Sequence, residues 1–208
     1  MKRQRRKADE NTIDTVSNVV AFCNAEPEHH PERLRKFTEC LGKGVMRMYP
    51  EYGLTRSALE VIVHAAAIHD IGKLAVPEEI LQKPERLTGQ EWEIVKQHTV
   101  KGDEMIRSLI CLDDKGVHDI CCDIARHHHE RYDGGGYPDG LKGEEISIGA
   151  QMVALADVYD ALLSKRIYKE AIAPDRTFMM IVAGECGVFS PKLLRVFENV
   201  REEMEKLI

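Results

Sequence analysis

The chain is 208 residues long and 43% hydrophobic, with a formal net charge of −6 and a single Trp. That length buries a core of its own as one large domain, while the acidic balance excludes a broad basic face for duplex nucleic acid. No apolar run approaches the length of a membrane span, and the charged opening "MKRQRRKADENTID" has no apolar segment behind it, so a cytoplasmic protein without membrane contact is expected.

In chain order the periodicity is helical almost throughout, and no alternating strand pattern emerges. The basic start is read as a solvated tail, or the stub of a linker, running into a helix striped by Ile13, Val16, Val20 and Cys23. Residues 1–24 are accordingly set apart from a main domain over 25–208. Leu34, Phe37, Leu41 and Val45 mark the next helix. Ser57 with Glu60 forms a capping box opening "SALEVIVHAAAIHD", in which His64 reads as core, and Thr88 with Glu91 forms another opening "TGQEWEIVKQH". Helices are expected at 117–129, at 147–165 and from about Asp175, and Ser190 with Pro191 starts the last one. The stretch "RHHHERYDGGGYPDGLKG", residues 126–143, is broken by glycines into a loop joining two helices. The six cysteines include no C-x-x-C pair and read as reduced and mostly packed.

Several of these helices are expected to carry His69-Asp70, His98, His128-His129 and Asp157 at their ends. Alone, His98 or Asp157 would read as a capping or paired residue. Together the set offers imidazole nitrogens and carboxylate oxygens without thiolate, which suits iron, manganese or zinc in open catalytic sites. Neighbouring helical residues point about 100° apart, so His69 and Asp70 serve one pocket only if Asp70 reaches across as a bridging carboxylate. That implies two ions, a common arrangement for cutting phosphodiester bonds. Three consecutive helical side chains cannot converge, so His127 is expected to face away from its neighbours. Glu130 and Asp133 are expected to fix the loop by hydrogen bonds, and its glycines to let it approach a planar ligand.

The segments "HDIGKLAVPEEILQKPERLT", "KQHTVKG", "HHERYDGGGYPDGLKGEEI" and "ALADVYDALLSKRIYK" together resemble the HD-GYP domains, a bacterial branch of the HD phosphohydrolases that hydrolyse cyclic di-GMP. The resemblance runs from about Glu26 to about Phe197. It implies an all-α fold, an HD-type multi-helix bundle with a metal cluster at its centre and a Gly-rich loop between helices, the catalytic domain occupying residues 25–208. His69 and Asp70 become the signature pair, His98, His128, His129 and Asp157 complete the cluster, and Lys73, Arg166 and Lys169 match phosphate contacts. Upstream, "NAEPEHHPER" offers Glu26, His30 and Arg33 at the spacing of the motif D-x-E-T-G-x-H-x-x-R found in three-metal members, although Asn24, Pro27 and Glu28 depart from it. A helix cap is the other reading of Glu26.

Two or three divalent ions are thus implied, iron or manganese first, with zinc, nickel or magnesium also open. The Gly136-Tyr137-Pro138 loop is implied to line the substrate site and to be a surface for diguanylate cyclase (GGDEF) domains; a homodimer is a further option. The implied activity opens cyclic di-GMP to pGpG, with a second cut giving GMP. Two alternatives stay open: another cyclic dinucleotide such as hybrid cyclic GMP-AMP as substrate, or a module that binds without cutting.

Overall fold

The computed structural model describes residues 2–24, 29–109, 114–164 and 171–208, with side chains for all of these except 2–6 and 21–24. Among the described residues it is all-helical. The helices are α1 (Lys2–Asn24), α2 (His30–Met48), α3 (Arg56–Ala66), α4 (Glu78–Leu81), α5 (Gly89–Lys96), α6 (His98–Ser108), α7 (Lys115–His127), α8 (Ile148–Leu163), α9 (Pro174–Val182), α10 (Pro191–Asn199) and α11 (Arg201–Glu205). Three 3-10 turns cover Pro50–Tyr52, Ile71–Ala75 and Gly143–Glu145.

The bundle is organised around α8. Its sequence "IGAQMVALADVYDALL" is apolar on nearly every face, the pattern of a helix surrounded by others, and every residue from Gly149 to Ala156 is buried. Tyr159 of α8 packs edge-on against Phe37 of α2 at 5.0 Å between ring centroids and against Phe197 of α10 at 5.2 Å; Phe197 in turn meets Phe178 of α9 at 5.2 Å. The leading helix is part of this core, since Ile13 and Val20 of α1 are both only 1% exposed. The stripe residue Cys23 lies outside the described side chains and Cys111 outside the described residues. Cys40, Cys121 and Cys122 are buried and free, as the cysteine pattern suggested.

Local signals account for most helix starts. Thr88 and Glu91 do form the capping box, the Thr88 hydroxyl accepting from the Glu91 amide at 3.3 Å and the Glu91 carboxylate from the Thr88 amide at 2.7 Å. The box at Ser57 does not form. Thr55 caps α3 instead, in extended backbone with its hydroxyl accepting from the Ala58 amide at 3.1 Å. Arg56 is already helical, so Ser57 lies inside the first turn and is not the N-cap. His64 is also not the core residue its apolar neighbours suggested. It lies on the α1-facing edge of α3, a quarter exposed, with Nδ1 at 2.8 Å from Asp14 Oδ1.

One crossing decides where the functional residues meet. Helix α6 runs over the 3-10 turn Ile71–Ala75 with Gly102 against Gly72. A Cβ built on Gly72 would lie 2.5 Å from the Gly102 amide nitrogen and 2.8 Å from the His98 carbonyl carbon, with the His98 carbonyl oxygen nearer still. Only two side-chain-free positions let backbone approach backbone this closely.

Candidate metal centre

After α3 ends at Ala66, the chain turns and enters the 3-10 segment, presenting His69 and Asp70 from the bend. His98 is the first residue of α6, at the break after Gln97. His128 caps the C-terminus of α7 and His129 follows it; His30 opens α2. Asp157 is a correction: it stands within α8, not at a helix end, because α8 threads the bundle and faces the site with its middle turns.

These side chains form two groups of oxygen and nitrogen donors. Asp70, His98, His128 and His129 make one, and His30, His69 and Asp157 the other, with the donor atoms in each lying within 4.8 Å of one another. Asp70 reaches both. Its Oδ1 is 3.2 Å from His98 Nε2 and 3.6 Å from His128 Nε2, while Oδ2 is 3.2 Å from His69 Nε2. Two ligand atoms on one ion, each about 2.0–2.2 Å from it, stand roughly 2.9–3.5 Å apart, so the spacing of the first group suits a shared cation. The second group is wider, with Asp157 Oδ1 at 3.9 Å from His30 Nε2 and 4.0 Å from His69 Nε2.

The histidine tautomers point the same way. Nδ1 of His69 is 2.7 Å from the Ala66 carbonyl, that of His98 is 2.7 Å from the Val95 carbonyl, and that of His128 is 3.0 Å from the Ile124 carbonyl. A carbonyl only accepts, so Nδ1 carries the proton and Nε2 keeps its lone pair. His98 Nε2 and His128 Nε2 then face each other at 3.3 Å beside a carboxylate oxygen. Such an arrangement repels itself in a dry interior and becomes favourable around a cation.

Electrostatics keep the donors in ligand form. Burial works to raise the Asp70 carboxyl pKa, but the adjoining Lys73 ammonium opposes it, and the group is held well below the usual carboxylate range. Lys73 Nζ contacts Asp70 Oδ2 directly. Burial pushes His128 down to about 4 and His129 well below the ordinary histidine value. His127 faces away as expected, with Nδ1 at 2.8 Å from Asp123 and Nε2 at 3.0 Å from Asp139.

The Gly-rich loop is fastened as its acids suggested. Glu130 accepts from the amides of Asp139, Gly140 and Leu141 at 2.8, 3.0 and 3.1 Å, and Asp133 accepts from the Gly135 amide at 2.9 Å. The close approach at Gly136 is made to the loop's own chain, since a Cβ there would strike the backbone of Glu130 and Arg131. Tyr137 thereby lands on the rim of the first donor group, its ring 4.9 Å from that of His129, and the Tyr137–Pro138 peptide bond is cis. Glu26, Arg166 and Lys169 lie outside the described residues.

Asp160 was not singled out by sequence, although its spacing from Asp157 puts both on one face of α8. It is fully buried, and its Oδ2 accepts from His30 Nδ1 at 2.6 Å. Arg33 Nε donates to Oδ1 at 2.5 Å, and Arg33 Nη2 donates to Oδ2 at 3.2 Å and to Ser164 Oγ at 2.9 Å. This carboxylate fixes the His30 ring with Nε2 toward Asp157. In Asp160→Asn an amide NH2 turned toward Nδ1 favours the other tautomer. Divalent-ion affinity at the His30 group is then expected to fall about 10–100-fold, measured by metal titration calorimetry, with helicity unchanged. Affinity equal to that of the unaltered protein would reduce Asp160 to a structural partner of Arg33.

Comparison with known proteins agrees with this architecture. A family model described as an HD domain matches residues 23–191. The chain is 39% identical over 221 aligned positions to the cyclic di-GMP phosphodiesterase response regulator RpfG of Xanthomonas campestris, covering 100% of this chain and 57% of that protein. It is 35% identical to a cyclic di-GMP phosphodiesterase of Thermotoga maritima, covering 92% and 51%, and 32% identical to 3'3'-cGAMP-specific phosphodiesterase 2 of Vibrio cholerae, covering 92% and 34%. The chain therefore spans between about a third and somewhat over half the length of these relatives. Among solved structures, an HDG"Y"P protein from Bdellovibrio bacteriovorus superposes with a TM-score of 0.61 at 15% identity, covering 93% of this chain and 63% of that one. A cyclic GMP-AMP specific phosphodiesterase of V. cholerae superposes at 0.64 and 16% identity, covering 94% and 49%. Likeness at that identity speaks to the fold. With the family match running through His69-Asp70 and every donor of both groups, the chain belongs to the HD domain family.

Proposed function

We propose that this chain is a cyclic di-GMP phosphodiesterase of the HD-GYP branch, using divalent ions to open the dinucleotide to pGpG and then to GMP in bacterial second-messenger signalling in the cytoplasm. The observation that carries the reading is the Asp70 carboxylate standing between two donor groups, one oxygen toward His98 and His128 and the other toward His69. The names of the relatives supply the substrate class.

The residues present fit such ions. Asp70, His98, His128 and His129 would hold one, His30, His69 and Asp157 a second with Asp70 shared, and Glu26, four positions before His30 in the sequence, is proposed with His30 for a third. When bound, the ions supply Lewis-acid polarisation of a phosphodiester and activation of water, and iron or manganese suits this mixed nitrogen and oxygen set. Without cations the carboxylates of Asp70 and Asp157 would repel a doubly anionic ligand. The chain's own contribution is positional. The Nδ1 hydrogen bonds of His69, His98 and His128 lock ring orientation, and Lys73, held on Asp70, is proposed as a phosphate contact. Arg166 and Lys169 are proposed as further phosphate contacts, and the Gly136–Pro138 loop as a wall of the site and a surface for GGDEF domains.

The test is turnover of cyclic di-GMP and 3'3'-cGAMP by protein purified anaerobically with iron or manganese, with products separated by chromatography and metal measured on the same sample. Faster conversion of cyclic di-GMP is expected. No turnover of either dinucleotide by metal-replete protein would overturn the reading, and preference for 3'3'-cGAMP would transfer it to that substrate.

A further inference from the structure

The only Trp in the chain sits where a buried residue would be expected to be absent: on the surface, next to the site. Trp92 of α5 is 45% exposed, the one aromatic among the exposed large apolar side chains of the described residues. Exposed tryptophan leaves a large apolar area in water, and a conventional core role does not account for it.

Its position is specific. The Tyr137 ring lies 4.9 Å from the His129 ring at an interplanar angle of 31°, and Trp92 stands 6.1 Å beyond Tyr137 at 81°. Aromatic planes thus lead outward from the rim of the first donor group and end in an exposed indole set nearly perpendicular to the phenol, forming an open corner. Lys96, one turn along α5 from Trp92, carries its ammonium over the Tyr137 ring, 5.8 Å from the centroid, while paired with Glu93 at 2.8 Å. The loop side is rigid, since Glu130 fixes three of its amides.

We propose that Trp92 and Tyr137 form a base-stacking subsite that receives one purine of a cyclic dinucleotide whose phosphate lies at the donor groups. The proposal rests on the phosphodiesterase reading and adds to it the residue that grips the base. A base is tethered one sugar away from its phosphate, so a phosphate at His129 brings its base to the neighbouring aromatic surface. Flat aromatic faces stack any base, so this subsite provides affinity for a purine without choosing guanine over adenine.

The experiment compares the metal-loaded unaltered protein with Trp92→Ala and Trp92→Phe, using cyclic di-GMP and 3'3'-cGAMP as substrates and inorganic phosphate, which carries no ring, as an inhibitor. Trp92→Ala is expected to raise KM for both dinucleotides roughly 5- to 150-fold with kcat within about twofold, the pattern of an interaction kept equally in ground and transition states. Trp92→Phe, which keeps a stacking ring, should restore KM to within about threefold. The inhibition constant of inorganic phosphate should be the same in all three proteins. In the unaltered protein, added cyclic di-GMP should quench the fluorescence of this single Trp. If the unaltered protein turns over a dinucleotide but Trp92→Ala leaves its KM unchanged, or weakens inhibition by inorganic phosphate equally, the subsite is overturned and the phosphodiesterase reading stands. If the unaltered protein neither cuts a dinucleotide nor shows quenching, both fail together.

Discussion

Asp70→Ala is expected to lower cyclic di-GMP turnover by at least about 10³-fold while leaving helicity intact. Lewis-acid assistance is worth several kcal/mol, and each 1.36 kcal/mol is a factor of ten in rate. Among the described residues Asp70 is the one side chain whose two oxygens face different donor groups, so its loss weakens both together, whereas loss of His98 or Asp157 weakens one. The fold should tolerate the change. Asp70 lies in the bend after α3, outside the aromatic contacts of α8, and Lys73, a third exposed, can turn to water. Bound metal, measured by elemental analysis, should fall with activity. Asp70→Asn is the sharper variant, since it keeps the shape but replaces one oxygen with a group that cannot coordinate. Retained turnover with full metal content in either protein would falsify the bridging role.

Gly72→Ala is expected to prevent folding or to lower the melting temperature by roughly 10–20 °C. Overpacking typically costs about 1–3 kcal/mol where neighbouring side chains can give way. At Gly72 the opposing atoms are the backbone of His98 and Gly102. Relief requires α6 to lift off the turn, which places the cost in the exceptional class of about 4–5 kcal/mol, and a domain of this size loses about 2–4 °C per kcal/mol. Any protein that does fold should bind metal poorly, because lifting α6 draws His98 Nε2 away from Asp70 Oδ1. Gly89→Ala is the control: a Cβ there meets nothing within 4 Å, and thermal melts should show little change. A Gly72→Ala protein melting with the unaltered one would mean that the crossing relaxes at little cost.

The chemical identity of the site was legible because it is carried by residue type and local spacing. Histidine and carboxylate without cysteine argues for an oxygen and nitrogen metal site, and the hydrogen bonds of Glu130 and Asp133 follow from acids flanking a glycine loop that needs its amides satisfied. Periodicity likewise announced an all-helical chain and the direction of His127. The misreadings share one cause. Ser57 and Thr55 are equally good caps on paper, and which is used depends on where the chain turns after Gly53. His64 sits amid apolar neighbours in sequence, yet α1 brings Asp14 to it. Asp160 carries no sequence signal that separates it from an ordinary helical acid until α2 places His30 and Arg33 against it.

The sequence by itself determined the helical character, the stock of candidate metal ligands and their membership of an HD-type chain, because these depend on side-chain chemistry and on contacts within a few residues. Tertiary structure alone decided that Asp70 stands between two groups, that Asp157 serves from the middle of α8, that Asp160 orients His30, and that Trp92 is left in the open beside Tyr137. Each of these is a convergence of segments distant in the chain, fixed by how closely backbones can approach, as at Gly72 and Gly102, and by which faces of α8 remain for its neighbours to cover. Spacing along a chain sets which way a side chain leaves its helix, but the packing of whole helices sets what it meets.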